Sequence, residues 1–369
     1  MNLLTNGRVI TRDEGGKGYY EKGAVAYEGT KIVEVGEEAA LRAKYPQAEI
    51  IDAKGGVIMP AFINAHTHIY SALARGLSIV GNNPTNFYEV LDGTWWAMDR
   101  KLTLEGSRAS ADALYIDCIK QGVTTIFDHH AAYCEIPGSL FQIGESAKKF
   151  GIRSCLCYEV SDRDGEEKCL QAIKENADWI TYCEQQKDPM LAAMFGGHAL
   201  FTISDKTFDR MVEANNGRTG YHIHVSEGMN DVYDSLQNYG RRPVQRLQDH
   251  GILGEKTILG HCIHVNTAEM DIIRETNTMV VNNPESNMGN AIGICPVLQL
   301  YKRGILLGMG TDAYTNDMLE SLKVALCSQR SQNCLPNVGW CEVTDMLFKN
   351  NAKIGARYFP DQLGILKAG

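Results

Sequence analysis

The stretch GGVIMPAFINAHTH, residues 55 to 68, is an apolar run that closes on two histidines, His66 and His68. In a β-strand, residues i and i+2 face the same side, so both imidazoles would point at one spot. A single H-x-H triplet is more often two polar residues at a strand end than a metal site. The rest of the chain therefore has to decide between these two interpretations.

Seven further apolar runs of strand length follow this one, and each also closes on polar residues: VTTIFDHH, IRSCLCYEV, MLAAMFGGHAL, GYHIHVSE, TILGHCIH, TMVVNNPESN and ILLGMGTD. Amphipathic stretches such as SRASADALYIDCIKQG lie between most of them. Continuous apolar strands alternating with helices indicate a parallel sheet covered by helices. Eight such units predict an α/β fold, a (β/α)8 TIM barrel. A doubly wound sheet is the alternative, but no G-x-G-x-x-G follows an early strand.

The first 57 residues have a different pattern, with short β-like runs separated by turns. The YEGTKI segment within them predicts a β-hairpin. We therefore expect a small N-terminal β-sandwich module over residues 1–57 and the barrel over 58–358. Residues 359–369 are expected to begin the return of the chain to the small module.

Composition limits the classes of partner. The net charge of −9 argues against nucleic acid, because phosphate contacts need clustered Lys and Arg. The longest uncharged stretch, residues 55–74, contains two His, one Asn and a Pro and is a poor membrane span. Eleven cysteines without a spaced framework indicate reduced thiols and a cytoplasmic protein. A small-molecule substrate is the expected partner, and homo-oligomer formation is left open.

The histidines decide the opening question. Nine of the ten lie at the C-terminal ends of predicted strands: His66, His68, His129, His130, His198, His222, His224, His261 and His264. In a barrel these strand ends form one mouth, where active sites are built. Several neutral imidazoles that converge there are suited to metal ligation, and Asp312 at the end of the eighth run supplies a carboxylate. With water as a further ligand, such a set is typical of an open catalytic site.

Four motifs together resemble the amidohydrolase superfamily, and in particular its aminohydrolase and chlorohydrolase branch. They are H-x-H after the first strand, HVSE after the fifth, H-C after the sixth and G-T-D at the eighth. The resemblance runs through almost the whole chain. It implies a metal site of His66, His68, His224 and Asp312, and catalytic roles for Glu227, His261 and Asp312.

The resemblance also implies that His198 contacts substrate. Arg75, Trp95, His130 and Asn287 are further candidates for substrate binding. For Arg75 the alternative is a salt bridge at the base of a long loop, and for His130 it is a bracing role. Trp95 belongs to an aromatic segment that forms either a lid over the site or a satellite core. His222 is interpreted as a packing residue behind the metal ligands.

A single metal ion is expected, because two-metal relatives use a bridging carboxylated Lys on the fourth strand. MLAAMFGGHAL contains neither a Lys nor an acid. Nitrogen and oxygen ligands in a near-tetrahedral array favour Zn²⁺, and Fe²⁺ fits the same set. Relatives continue beyond the end of this chain with strands that complete the small module, so residues 1–57 would be half of a composite domain.

The expected function is hydrolytic deamination of a purine- or pyrimidine-like nitrogen heterocycle, with metal-bound hydroxide as the nucleophile. Ring-opening cyclic amide hydrolysis and triazine-type chloride displacement use the same kind of site and are the nearest alternatives. A catalytically silent, metal-stabilised scaffold is a third. The presence of Glu227 and His261 argues against the scaffold, because neither residue is needed to hold the metal.

Overall fold

The computed structural model describes residues 1–369 and divides the chain into two compact units. The first unit comprises Met1–Phe62 together with Gln362–Gly369, and the barrel unit comprises Ile63–Asp361. These boundaries lie a few residues later than those expected from the sequence.

The first unit is a five-stranded sheet with one helix. Its elements are β1 (Asn2–Ile10), β2 (Tyr19–Glu28), β3 (Lys31–Glu37), α1 (Glu38–Lys44), β4 (Glu49–Asp52) and β5 (Val57–Ile58). The strand order is β3-β2-β1-β4, and β5 also pairs with β1. The β2–β3 pair is the predicted hairpin, with Glu28 opposite Lys31. Leu366 packs on the cluster of Val9, Val25 and Ile58, so the last residues of the chain contribute to this unit.

The barrel unit contains the eight predicted strands, the fourth of which is split in two. They are β6 (Phe62–Thr67), β7 (Val123–His130), β8 (Arg153–Tyr158), β9 (Leu191–Ala193), β10 (Phe195–Ala199), β11 (Tyr221–Val225), β12 (Ile258–His261), β13 (Met279–Asn282) and β14 (Leu307–Met309). One sheet has the order β6-β7-β8-β9 and the other β10-β11-β12-β13-β14. Two parallel bridges, Thr67 with Asp312 and Val160 with Gly197, join the two sheets. The predicted TIM barrel is confirmed.

Helices connect the strands. They are α2 (Phe87–Val90), α3 (Trp96–Asp99), α4 (Leu104–Gln121), α5 (Ser139–Phe150), α6 (Glu166–Gln186), α7 (Asp205–Asn215), α8 (Met229–Tyr239), α9 (Pro243–Asp249), α10 (Thr267–Glu275), α11 (Pro284–Gly289), α12 (Val297–Lys302), α13 (Met318–Asn333), α14 (Trp340–Asp345) and α15 (Asn351–Gly355). Side-chain caps define several starts: Thr103 accepts from the Gly106 N–H before α4, and Ser204 accepts from the Thr207 N–H before α7. None of the helices combines the length and hydropathy that crossing a membrane requires.

The barrel closes where the eighth strand meets the first. The backbone N–H groups of Thr311 and Asp312 both donate to the His66 carbonyl, at 2.9 and 3.0 Å. The chains approach so closely that a Cβ on Gly310 would lie 2.7 Å from that carbonyl oxygen and 2.4 Å from Asn283 Oδ1. The glycine of the G-T-D motif is therefore required by packing, and it determines where Asp312 enters the site.

We predict that Gly310→Ala destabilises the barrel, because the new methyl group has to displace the His66 carbonyl and Cβ as well as the Asn283 side chain. Overpacking of this kind typically costs about 1–3 kcal/mol, measurable as a lower free energy of unfolding in urea. Gly254→Ala is the matched control, since its Cβ would meet no atom within 4 Å. Equal stability of the two variants would contradict this account of barrel closure.

Candidate metal centre and active site

The strand-end histidines converge at one mouth of the barrel, as their positions in the sequence predicted. The ring centroid of His66 lies 4.9 Å from that of His68 and 5.0 Å from that of His224. The rings of His68 and His224 are stacked at 5.2 Å. All three side chains are buried, as is Asp312. The tenth histidine, His250, pairs with Asp205 and Asp209 away from the mouth.

Hydrogen bonds to backbone carbonyls set the tautomers of two of these rings. His68 Nδ1 lies 2.6 Å from the carbonyl of His129, and His224 Nδ1 lies 2.8 Å from the carbonyl of His198. A carbonyl oxygen can only accept, so each Nδ1 carries a proton, and in the neutral ring each Nε2 has the lone pair. Such partners orient metal-binding histidines in known sites.

The lone pairs of the cluster point at a common position. His68 Nε2 lies 3.2 Å from His224 Nε2 and 3.1 Å from Asp312 Oδ1. His66 Nε2 is buried and has no hydrogen-bond partner. Zn–N bonds of about 2.0–2.1 Å in a tetrahedron separate ligand atoms by about 3.3–3.4 Å. Three imidazole nitrogens and one carboxylate oxygen therefore fit a divalent metal ion.

The electrostatics of the cluster agree with this fit. Burial, reinforced by neighbouring histidines, lowers the pKa of His66 and His224 well below the usual range, so both rings are neutral. Burial would also lower the pKa of His68, but Asp312 outweighs it and raises that pKa to about 9. A cation that enters the cluster therefore displaces a proton from His68.

His222 lies behind the cluster. Its Nε2 is 2.8 Å from His66 Nδ1, and the ring is completely buried. This contact orients the His66 ring from the side opposite to His66 Nε2. The placement agrees with the interpretation of His222 as a supporting residue.

Glu227 and His261 form a second group beside the cluster. His261 Nε2 lies 3.6 Å from Glu227 Oε1 and 3.6 Å from Asp312 Oδ2. His261 Nδ1 donates to Asn287 Oδ1 at 2.8 Å, so Nε2 of the neutral ring is an acceptor. Burial and then the nearby charge of Asp312 raise the pKa of Glu227 well above its usual range. Burial would also raise the pKa of Asp312, but His68 outweighs it and lowers that pKa. Glu227 therefore keeps its proton to a higher pH than Asp312 does.

Left-handed backbone positions two of these side chains. His261 has φ 67° and Asp312 has φ 56°. Such values are uncommon for residues other than glycine and carry a conformational cost that functional sites often store. The turn at each strand end aims these side chains into the mouth.

A small cavity of about 30 Å³ lies over the cluster. On one side it is lined by His68, Glu159, His198, His224, Glu227 and Asp312. On the other side it is lined by Phe87, Leu91, Trp95 and Trp96 of the segment that follows the first barrel strand. Because its aromatic side chains line the cavity above the cluster, the segment has the placement of a lid.

Two predicted substrate contacts, His198 and Trp95, line the cavity, but three others do not. Arg75 is exposed and pairs with Asp117 at 2.8 Å, which is the contact that the salt-bridge alternative describes. His130 is buried, with its Nε2 3.3 Å from Ser107 Oγ, and braces the barrel. Asn287 stands behind His261 and orients it, because its Oδ1 accepts the Nδ1 proton.

The sequence reasoning missed Glu159, which is buried and lines the cavity. Burial by itself would raise the pKa of this carboxyl, but His198, His129 and Arg163 outweigh it and hold the pKa at about 2. Glu159 directly follows strand β8, so the rule that singled out the histidines would have found it if applied to acids. Its partner Arg163 lies in a loop and gave no such signal.

A closed (β/α)8 barrel with three histidines and an aspartate at the C-terminal mouth defines the class of metal-dependent barrel hydrolases. The sequence profile of the amidohydrolase family matches residues 57–353, and that of the imidazolonepropionase-like composite domain of bacteria matches residues 23–48. The chain belongs to the amidohydrolase family.

Two curated relatives are similar over most of the chain. A 5'-deoxyadenosine deaminase of Methanobrevibacter smithii is 32% identical over 314 residues, which are 84% of this chain and 69% of that protein. A 5-methylthioadenosine/S-adenosylhomocysteine deaminase of Thermococcus sibiricus is 29% identical over 373 residues, covering 100% of this chain and 83% of that protein. Among solved structures, an adenosine deaminase from Xanthomonas campestris with bound zinc shares the fold, with a TM-score of 0.85 and 23% identity. That match covers 100% of this chain and 82% of the other.

We predict that the purified protein contains about one divalent ion per chain and that His224→Ala loses it, because few ligands share the ion. His222→Ala should retain the ion but unfold at a lower temperature, because it leaves His66 Nδ1 without its buried partner. Elemental analysis and thermal unfolding measure the two effects, and His250→Ala is the control away from the mouth. Loss of metal from His222→Ala together with its retention in His224→Ala would reverse the two assignments. A content near two ions would contradict the single-metal expectation.

Proposed function

We propose that this chain is a hydrolytic deaminase of a purine- or pyrimidine-like nitrogen heterocycle that works with one divalent ion at His66, His68, His224 and Asp312. The observation that carries the proposal is the placement of two carboxyls, those of Glu227 and Asp312, at 3.6 Å from the same nitrogen of His261. Deamination needs two proton deliveries, and these carboxyls are suited to one each. The deaminase names of the curated relatives support the same reaction.

The roles of the side chains follow from their proton states. A divalent ion lowers the pKa of water from about 15.7 toward about 7 and so supplies hydroxide at neutral pH. Glu227 holds a proton and donates it to the ring nitrogen next to the attacked carbon. Asp312 is ionised, takes up the proton that the nucleophile releases, and delivers it to the departing amine. His261 Nε2, as an acceptor, orients the attacking water.

Zn²⁺ is the ion that the ligand set favours, and Fe²⁺ fits it as well. Three imidazole nitrogens and one carboxylate oxygen suit zinc, and water as a fifth ligand would take the position that catalysis requires. The lid then closes the site over the substrate, and its Trp95 and Trp96 offer aromatic faces to a planar ring.

The carboxyls of Glu227 and Asp312 also distinguish deamination from the alternative functions. Displacement of a halide needs no proton on the leaving group, so it would leave one of the two carboxyls without a task. A metal-stabilised scaffold would need neither Glu227 nor His261. Ring opening of a cyclic amide also protonates a nitrogen, but its product keeps that nitrogen, and this difference decides the experiment.

We expect the zinc-loaded protein to release ammonia from an amino-substituted purine or pyrimidine, with a product in which NH₂ is replaced by OH. Coupled ammonia detection and mass spectrometry of the product measure both outcomes on one sample. A product that has gained a whole water, with no ammonia, would overturn the deaminase proposal in favour of ring opening. Release of chloride from a chlorotriazine without release of ammonia from any amine would favour the halide reaction.

Glu227→Gln should lower kcat by about 10²-fold or more, the usual scale for loss of an acid–base group. It should keep its metal, because Glu227 is not among the ligands of the cluster. Glu213→Gln, an exposed residue on helix α7, is the matched control and should retain full activity. Full activity of Glu227→Gln would remove Glu227 from the mechanism.

A further inference from the structure

Glu159 forms a part of the cavity wall to which the proposed reaction gives no role. Its side chain is buried and lines the cavity beside the metal ligands. Groups outside the cavity hold it in place: His129 Nδ1 lies 3.3 Å from Oε2, and Arg163 Nη2 lies 3.4 Å from Oε1. Each carboxylate oxygen can accept more than one hydrogen bond, so Glu159 keeps acceptor capacity toward the cavity.

Two partners, Arg163 and His129, hold the carboxylate of Glu159. Arg163 lies within 4 Å of three carboxylates, and its tightest pair is with Asp99 at 2.5 Å. The guanidinium is packed between two aromatic rings, 4.0 Å from the centroid of Tyr133 and 5.0 Å from that of Trp96. Glu159 is therefore fixed in position, and its oxygens keep lone pairs for a donor in the cavity.

His198 presents a second acceptor next to Glu159. Thr202 Oγ1 donates to the Ala199 carbonyl at 2.9 Å, so toward His198 Nδ1, at 2.8 Å, it can only accept. His198 Nδ1 therefore carries the proton, and Nε2 has the lone pair. The metal-binding atoms offered by Glu159, His198 and His224 lie within 4.8 Å of one another. Glu159 and His198 thus form one acceptor wall, which contributes no donor to the cavity.

We propose that this acceptor wall selects heterocycles that present N–H groups at the ring edge beside the exocyclic amine, as in a 2-amino-4-oxo lactam ring. The inference rests on the proposed function and specifies its substrate class. In a 2-amino ring without a ring N–H, two acceptor nitrogens flank the attacked carbon. One can take the proton of Glu227, and the other would face the wall acceptor to acceptor. A buried polar group that is left without a hydrogen-bond partner costs more binding free energy than the same loss at a solvated position. Such sites therefore reject an analogue that lacks the matching group strongly.

Two matched pairs of probes test the selection. Guanine and isocytosine carry the ring N–H beside the amine, whereas 2-aminopurine and 2-aminopyrimidine lack it. We expect the first member of each pair to bind about 10- to 100-fold more tightly, the scale of a hydrogen bond to a buried charge. Binding is measured by calorimetry on the zinc-loaded Glu227→Gln variant, because this substitution slows turnover during the measurement. 1-Methylguanine isolates the N–H itself and should bind as weakly as 2-aminopurine.

The Glu159→Gln variant shows whether the preference comes from this carboxylate. It keeps the shape but offers a donor as well as an acceptor, so the ratio of affinities within each pair should fall toward one. Glu175→Gln is the matched control, a buried glutamate on helix α6 that accepts the backbone N–H groups of Gly138 and Leu140. Its ratio should equal that of the parent, because a merely structural loss weakens both members of a pair alike.

Several results would overturn the inference. The inference fails if the two members of each pair bind equally or if neither ring with an N–H binds. It also fails if Glu159→Gln leaves the ratio of affinities unchanged. A second equivalent of Zn²⁺ that Glu159→Gln abolishes would also overturn it, since Glu159 would then serve a cation. Ammonia release is scored separately on the protein with Glu227 intact. N–H-selective binding without ammonia release would leave the inference standing and reject the deaminase proposal.

Discussion

The active site depends on the contact by which the barrel closes. Two successive N–H groups of the eighth strand, from Thr311 and Asp312, share the carbonyl of His66. The acceptor is the carbonyl of His66, and one of the donors is the N–H of Asp312, so both residues of the contact belong to the cluster. This backbone contact therefore brings the carboxylate next to the imidazoles. The missing side chain of Gly310 permits this approach. Strand closure and ligand assembly are therefore the same event, and a disturbance of one disturbs the other.

Around that contact, hydrogen bonding gives each buried imidazole a defined task. Backbone carbonyls take the Nδ1 protons of His68 and His224, and Asn287 takes that of His261. In the neutral rings the Nε2 atoms are thereby left as acceptors, and that of His261 accepts from Asn283 Nδ2 at 3.3 Å. Such a concentration of lone pairs is costly in an apolar interior unless a cation or a proton-donating substrate compensates it. The same cost explains why the metal cluster suits a cation. It also explains why the neighbouring acceptors, Glu159 and His198, suit a substrate that donates hydrogen bonds.

The amino-acid sequence was sufficient to predict the barrel and the convergence of its histidines. The strand runs end on polar residues with a regularity that scattered core histidines would not show, and parallel strands in a barrel end at one mouth. The same reasoning placed His222 behind His224. It did not separate Arg75 from the site, because a loop arginine can turn toward a substrate or toward a helix. The exposed pair with Asp117 exists only because the two segments meet in three dimensions.

The sequence by itself determined the periodic pattern and the residue types at the strand ends, and these decide which chemical groups reach the mouth. Only the tertiary structure decided the states of those groups. The acceptor character of each Nε2, the raised pKa of Glu227 and the shared ion pairs of Arg163 depend on partners far apart in the chain. The left-handed backbone at His261 and Asp312 is likewise a feature of the folded chain. Local sequence specifies which side a residue faces, whereas proton positions and charge balance are properties of the assembled neighbourhood.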